Sequence, residues 1–425
     1  MISPFRLHAA LLSPRDRQQA DWHPRGALVV DERGRIAWRG NADDLPARFL
    51  PLPCIDSRHI ILPGMVDAHV HLPQLDCRGK FGASLLEWLD RFIYPEEHRF
   101  ASDTIARDVA RRFFSALVSA GSTTAMVFST VHEAATHIAF EEAERSGLRI
   151  ILGKVLMDRE APETLCEQAV DGLAATARLI ERWHRKTDRL WYAVTPRFAV
   201  SCSAPLLAGA GELARRHDTY VQTHCNESAG EIARVRALFP DAPHYASVYD
   251  EAGLLGARTV LAHNIHAREE ELALLAAREC AVAHCPDSNL FLGSGRFPIE
   301  AHERHGLRVA LGSDVGAGTT LNMFHIMHAM SHVQGRSLHP LHPLYHATQG
   351  GADALGLGAR IGSLDPGKEA DMIEVCLDQR FCKGKTLAEL TAQDIASVLV
   401  YRSTDLRVSR MWVGGGEIRR LSEAG

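Results

Sequence analysis

The sequence predicts an α/β fold, a TIM-type (β/α)8 barrel with a small β-sandwich domain formed by both termini. Three observations carry this. Short apolar, β-rich runs recur eight times between about residues 64 and 364, amphipathic helical stretches separate them, and the two ends read as hairpins instead. Eight regular β-then-α units favour a closed sheet over an open, doubly wound one. The expected boundaries are 1–63 for the N-terminal part of the small domain, 64–364 for the barrel and 365–425 for the C-terminal part.

At the N-terminal end, ALVVDERGRIAWRG (27–40) is strand, polar turn, strand. The eight runs follow: VDAHVH (66–71), STTAMVF (122–128), RIILGKVLMD (149–158), LWYAVTPRF (190–198), YVQTHCNE (220–227), RTVLAHN (258–264), AVAHCPDSN (281–289) and VALGSDVG (309–316). Between them, stretches such as DTIARDVARRFFSALVSA (103–120) and REEELALLAARE (268–279) carry apolar residues at three- and four-residue spacing. An added helix, SLLEWLDRFIYPEE (84–97), opens with a Ser84-x-x-Glu87 capping box and is expected to stop at Pro95. At the C-terminal end PGKEADMIEV (366–375) and RVSRMWVGGGEIRR (407–420) give a further strand and hairpin. Short hairpins are marginal alone, so the two termini are expected to pack together.

The 425 residues are 46% apolar and 23% charged, with a net charge of -5, which is ordinary globular composition with no basic surplus for nucleic acid. No run of 18 apolar residues occurs, and the start lacks a signal-peptide core. The nine cysteines form no C-x-x-C pair and their odd number argues against a complete disulfide framework. These features predict a cytoplasmic protein with a small-molecule partner, and neither nucleic acid nor membrane.

In VDAHVHLPQ (66–74), side chains alternate along a strand, so His69 and His71 face one way and Val70 the other. Two imidazoles on one face can chelate a metal. Barrel chemistry gathers where strands end at the C-terminal rim. There the first run ends in His69 and His71, the fourth in Arg197 and Phe198, the fifth in His224 and Glu227, the sixth in His263 and the eighth in Asp314. Such repetition points to one convergent site. Three histidines and a carboxylate suit a divalent ion with an open position for water, most simply Zn²⁺, with Fe²⁺ also acceptable. Such an ion lowers the pKa of its water to about 7, which predicts a hydrolase. Glu227 then moves protons, Asp314 faces both metal and water, and His263 hydrogen-bonds the water. HEAATH (132–137) is no metal site, because five-residue spacing on a helix sets the two rings about 140° apart.

In order along the chain, His69, His71, His224, His263 and Asp314 match the pattern of the amidohydrolase superfamily, which the sequence resembles. Two-metal members carry a bridging lysine after strand four; TPRF (195–198) stands there instead, so the resemblance implies a single metal, with Lys154 playing no such part. Within the superfamily the chain is similar to the guanine deaminase family. HVHLPQ, SLLEWLDRFIYPEEHRF, TPRFAVSCS, QTHCNES, HCPDSNLFLGSG and LGSDVGAGTTLNM carry that likeness. It implies that Gln74, Arg197 and Phe198 hold a purine, and Trp88, on the added helix over the barrel mouth, is a further candidate for the pocket wall. It also implies hydrolytic deamination of guanine to xanthine and ammonia in purine catabolism, and a homodimer with one zinc per subunit. Asp314 would take the proton of the attacking water, and Glu227 would protonate the ring nitrogen and then the leaving ammonia. Two rivals are a sister enzyme acting on 8-oxoguanine, a pterin or another aminated heterocycle, and an inactive scaffold. SLLEWLDRF and TPRF weigh against the first, and the full ligand set against the second.

Overall fold

The structure is a computed structural model that describes residues 1–82, 84–377 and 384–418. It divides into two compact units, one of Met1–Val66, Ser115–Thr124 and Asn322–Gly425, the other of Asp67–Phe114 and Ala125–Leu321.

The first unit holds a seven-stranded sheet to which both ends of the chain contribute. Its strand order is Gly416–Ile418, Arg407–Val413, Met372–Cys376, Cys54–Pro63, Phe5–Pro14, Ala20–Val30 and Ile36–Asn41. The N- and C-terminal sets meet where Cys54–Pro63 pairs antiparallel with Met372–Cys376. Alternation supplies the reason: Phe5, Leu7, Ala9 and Leu11 turn to one face and are buried with Leu28, Val30, Ile36, Met372 and Trp412. Each large apolar side chain so covered is worth about 1.5–3 kcal/mol. The second expected hairpin is present as Arg407–Val413 and Gly416–Ile418, and Arg419 and Arg420 lie outside the described residues.

The other sheet runs Met65–His71, Ser122–Phe128, Arg149–Gly153, Leu190–Pro196, Tyr220–Cys225, Thr259–His263, Ala281–His284 and Arg308–Leu311, each strand beside the next. It is the barrel. Met65–His71 and Ser122–Phe128 are buried at every position, as in parallel strands covered on both faces. Intervening helices bury one stripe; Ala169–Trp183 covers Ala175, Thr176, Leu179, Ile180 and Trp183. Beyond the last strand the chain is tied back to the first. Asp314 N donates to His69 O at 2.9 Å and His71 N to Val315 O at 3.0 Å. Asp67 accepts from Ser313 N and Oγ at 2.9 and 2.5 Å.

Two local expectations need correction. The strands stop sooner than the apolar runs, the fifth at Cys225 and the eighth at Leu311, so Glu227 and Asp314 stand on the loops beyond. At the fifth and sixth strands the cause is backbone: Asn226, His263 and Asn264 have φ of 52°, 67° and 48°, the left-handed region, which turns the chain out of the sheet; Asp314, three residues past the eighth strand, has φ of 48°. The added helix also continues past Pro95. Ser84 caps Leu85–Trp88 by accepting from Glu87 N at 3.3 Å, a π turn follows over Leu89–Ile93, and Pro95 falls in the first turn of Tyr94–His98, where no N–H is required.

Among the described residues eight cysteines are free, and no helix is long and apolar enough to cross a membrane.

Candidate active site

The H-x-H pair does what strand geometry requires, and both rings point into the mouth of the barrel. His71 Nε2 lies 3.2 Å from His69 Nε2 and 3.2 Å from His224 Nε2. Asp314 Oδ1 lies 3.1 Å from His69 Nε2 and 3.3 Å from His71 Nε2. All four side chains are buried or nearly so. Burial holds His69 below its ordinary pKa, takes His71 down to about 4 and holds His224 well below 6.5, the last helped by its histidine neighbours. Neutral imidazoles thus turn converging nitrogens on one another at hydrogen-bond distance, with too few protons to join them all. A cation satisfies them. These four separations, 3.1–3.3 Å, suit donor atoms gathered around one small divalent ion such as Zn²⁺. Ligating atoms of His69, His224, His263 and Asp314 also lie within 4.8 Å of one another, but His263 stands further back, its Nε2 3.7 Å from Asp314 Oδ2.

Backbone and side-chain partners fix these rings. His224 Nδ1 lies 2.7 Å from Arg197 O, and His263 Nδ1 lies 2.8 Å from Asn289 Oδ1, which leaves each Nε2 free to accept. Ser288 Oγ donates to Asp314 Oδ2 at 2.5 Å. Burial alone would raise the Asp314 pKa, but the surrounding histidines more than offset it and hold the carboxylate well below its ordinary range.

Glu227 has the opposite character. Burial first, then the charge of Asp314, push its pKa up to about 8, although Ser294 Oγ donates to its Oε1 at 3.0 Å. It is therefore an acid near neutral pH, with Oε2 3.5 Å from His263 Nε2. Its backbone N–H is held by Glu231 Oε2 at 2.9 Å, and Glu231 also completes a capping box with Ser228 on Ala229–Leu238 and accepts from Tyr245 Oη at 2.6 Å.

These groups open on a common cavity. Leu85, Trp88, Leu89, Phe198, Leu292 and Ala317 give it apolar walls, while Gln74 and Arg197 supply polar groups. Trp88 is buried and its one donor, Nε1, goes to Lys80 O at 2.8 Å. Arg197 Nη1 lies 2.9 and 2.7 Å from the two oxygens of Glu97, and Gln74 Nε2 donates to Glu97 Oε1 at 3.1 Å. Burial opposes the Arg197 charge, but Glu97 outweighs it and the guanidinium is held above its ordinary pKa. Lys154 is fully buried on the carboxylate of Glu167 and does not line this cavity.

Residues 60–418 match the model of the amidohydrolase family. The chain belongs to that family. Among characterised amidohydrolases it is 40% identical to a probable guanine deaminase of Deinococcus radiodurans over 98% of this chain and 95% of that one. It is 42% identical to guanine deaminase of Escherichia coli over 81% of this chain and 80% of that one. The structure of guanine deaminase from C. acetobutylicum with bound guanine in the active site superposes with a TM-score of 0.91 at 29% identity, covering 98% of this chain and all of that one (100%).

Of the residues singled out in the sequence of this amidohydrolase, His71, Gln74, Trp88, Arg197, Phe198, His224, Glu227, His263 and Asp314 line the one cavity, and His69 sits against His71 and Asp314. Sequence reading gave no role to Glu97, to Glu231 or to the polar side chains after the seventh strand. From that segment Ser288, Asn289 and Ser294 reach Asp314, His263 and Glu227 respectively. A signal existed: HCPDSN places serine and asparagine at the catalytic end of a barrel strand, where polar residues are otherwise costly. The backbone also packs closely here: a Cβ on Gly316, in DVGAGTT, would lie 2.7 Å from Gln74 O.

Proposed function

We propose that this amidohydrolase is a guanine deaminase, releasing ammonia from carbon 2 of guanine to leave xanthine, as a step of purine catabolism. One Zn²⁺ per subunit, held by His69, His71, His224 and Asp314, is the metal the donor set suits best. The observation that carries the reading is the single cavity that joins the His/Asp cluster and the uncharged acid Glu227 to the polar groups Gln74 and Arg197. The guanine bound in the active site of a structural relative that covers nearly the whole chain supports it.

A divalent ion in the cluster supplies Lewis acidity and brings the pKa of water down to about 7. The protein's own groups do the rest. Asp314, ionised because histidines surround it, accepts the proton of the attacking water. Glu227, protonated because it is buried beside that carboxylate, delivers a proton to the ring nitrogen next to carbon 2 and then serves the departing amine. His263, whose Nε2 is 3.5 Å from Glu227 and 3.7 Å from Asp314, stands between the two and orients the water as a hydrogen-bond acceptor. Proton transfers positioned in this way are worth about 10²- to 10⁴-fold. Phe198 and Trp88 wall the flat ring, and Gln74 and Arg197 read its polar edge. Free cysteines agree with a reducing, cytoplasmic setting, and the assembly is a homodimer, which sedimentation would read directly.

The test is ammonia release from guanine, 8-oxoguanine, isoxanthopterin, cytosine and adenosine, with metal content measured on the same protein. Guanine is expected to be turned over fastest, with one zinc per subunit. Faster turnover of another amine would move the assignment to that heterocycle, and no release from any of them by metal-loaded protein would sink it.

A further inference from the structure

Gln74 and Arg197 are both held by a side chain that has no part in the proton transfers. Glu97, on Tyr94–His98, is fully buried, with one oxygen shared between Arg197 Nη1 and Gln74 Nε2 and the other on Arg197 Nη1. Gln74 Oε1 in turn accepts from Gly316 N at 3.2 Å. The Gln74 amide therefore has one orientation, because a carboxylate receives only its NH₂ end and an N–H only its oxygen. The guanidinium is fixed likewise. Both contacts to Glu97 fall on Nη1, and the Arg197 side chain makes no other hydrogen bond among the described residues, so the edge formed by Nη2 and Nε remains for the cavity it lines.

Two features of a ligand follow. The Arg197–Glu97 pair has no net charge, so the cavity suits a neutral heterocycle. A planar edge of two N–H donors suits two adjacent acceptors. In guanine that pair is O6 and N7, across the ring system from carbon 2; a 6-aminopurine sets a donor where O6 would be.

We propose that Glu97 is the specificity-positioning residue of this cavity: by holding Arg197 Nη1 and Gln74 Nε2 it turns a donor edge to the O6/N7 side of a 6-oxopurine and makes the site reject 6-aminopurines. This rests on the purine reading above.

The test compares guanine with 2,6-diaminopurine, which keeps the 2-amine but replaces the 6-oxygen by an amine, using full-length metal-loaded protein. The wild type is expected to favour guanine by about 100-fold or more in kcat/KM, as sites built around hydrogen bonds do. Glu97→Gln keeps the shape but lets the guanidinium turn; KM for guanine should rise about tenfold, kcat should stay within about threefold, and the guanine preference should shrink about tenfold. Melting temperature and metal content are read alongside. An unchanged KM and preference in a folded, metal-loaded variant would overturn the proposal, and so would a loss confined to kcat. Should a lone buried Arg197 prevent folding, Arg197→Met, which strands Glu97 in its place, and the double variant Arg197→Met/Glu97→Met, which strands no charge, are compared instead. The guanine preference should collapse in both; its survival in both would overturn the proposal. If the wild type releases no ammonia from guanine, the substrate reading fails by itself. The ratio of the two purines' Kd values, from calorimetry on the same variants, then reads Glu97 by the same criterion.

Discussion

The metal cluster and the Glu97 clamp share one cavity and are built on opposite principles. At the cluster, groups are left wanting: imidazole nitrogens face each other at 3.2 Å with too few protons to join them, and Glu227 is a carboxylic acid at neutral pH. At the clamp every charge has its partner, with both Glu97 oxygens bonded and the Gln74 amide engaged at both ends. The difference teaches what each is for. Unsatisfied groups in a dry site have work to do on a metal, a water or a proton, whereas satisfied groups hold still and aim the donor edge left for the ligand.

The comparison breaks most sharply on removal of metal. Dialysis against a strong chelator should abolish ammonia release and Zn²⁺ should restore it; activity that survives complete removal, checked by elemental analysis, would contradict the cluster's role. Next comes Glu227→Gln, which keeps the shape but loses the acid. It should lower kcat about 10²- to 10⁴-fold while zinc content is unchanged. Smaller is Ser288→Ala, which frees Asp314 Oδ2 and should cost about 10- to 100-fold in zinc affinity, measured by competition with a chromogenic chelator.

A pH profile sharpens the contrast further. Because Glu227 must be protonated to act and its pKa is raised to about 8, kcat/KM should fall as pH rises through that region. The Ser294 hydroxyl donates to the carboxylate and so favours the ionised form. Ser294→Ala should therefore move the falling limb to higher pH, and a shift to lower pH would be the wrong sign. Smallest is Trp88→Phe, which removes only the bond to Lys80 O and some wall; KM for guanine should change by a few fold, on the order of one lost hydrogen bond, with kcat unaffected.

The cluster was far more legible in the sequence than the clamp, and the reason is physical. His69 and His71 are separated by the strand period, and His224 and His263 end strands whose apolar runs announce themselves. Those are local patterns. Glu97 lies 23 residues from Gln74 and 100 from Arg197, on a helical segment beyond a π turn, and no periodicity encodes such a meeting. Ser288 and Asn289 were hidden differently: they sit on the short helix Pro286–Phe291, in residue types that ordinarily mark a loop. Barrel strands were legible to within a residue at most of their starts, since burial on both faces gives continuous apolar runs. Their ends were less so: left-handed φ at Asn226 and His263 stops the fifth and sixth strands inside their runs.

The tie between the first and last strands makes the timing of metal loading a matter of chain growth. Asp67 and Ser313 are 246 residues apart in sequence, and His69 and Asp314 flank that contact. A ribosome adding about 5–20 residues per second needs roughly ten to fifty seconds to travel that distance. Throughout it the histidines of the first strand exist without their carboxylate. An unfinished chain therefore lacks the carboxylate of the proposed ligand set, and the full four-donor cluster exists only once the last barrel strand has been made.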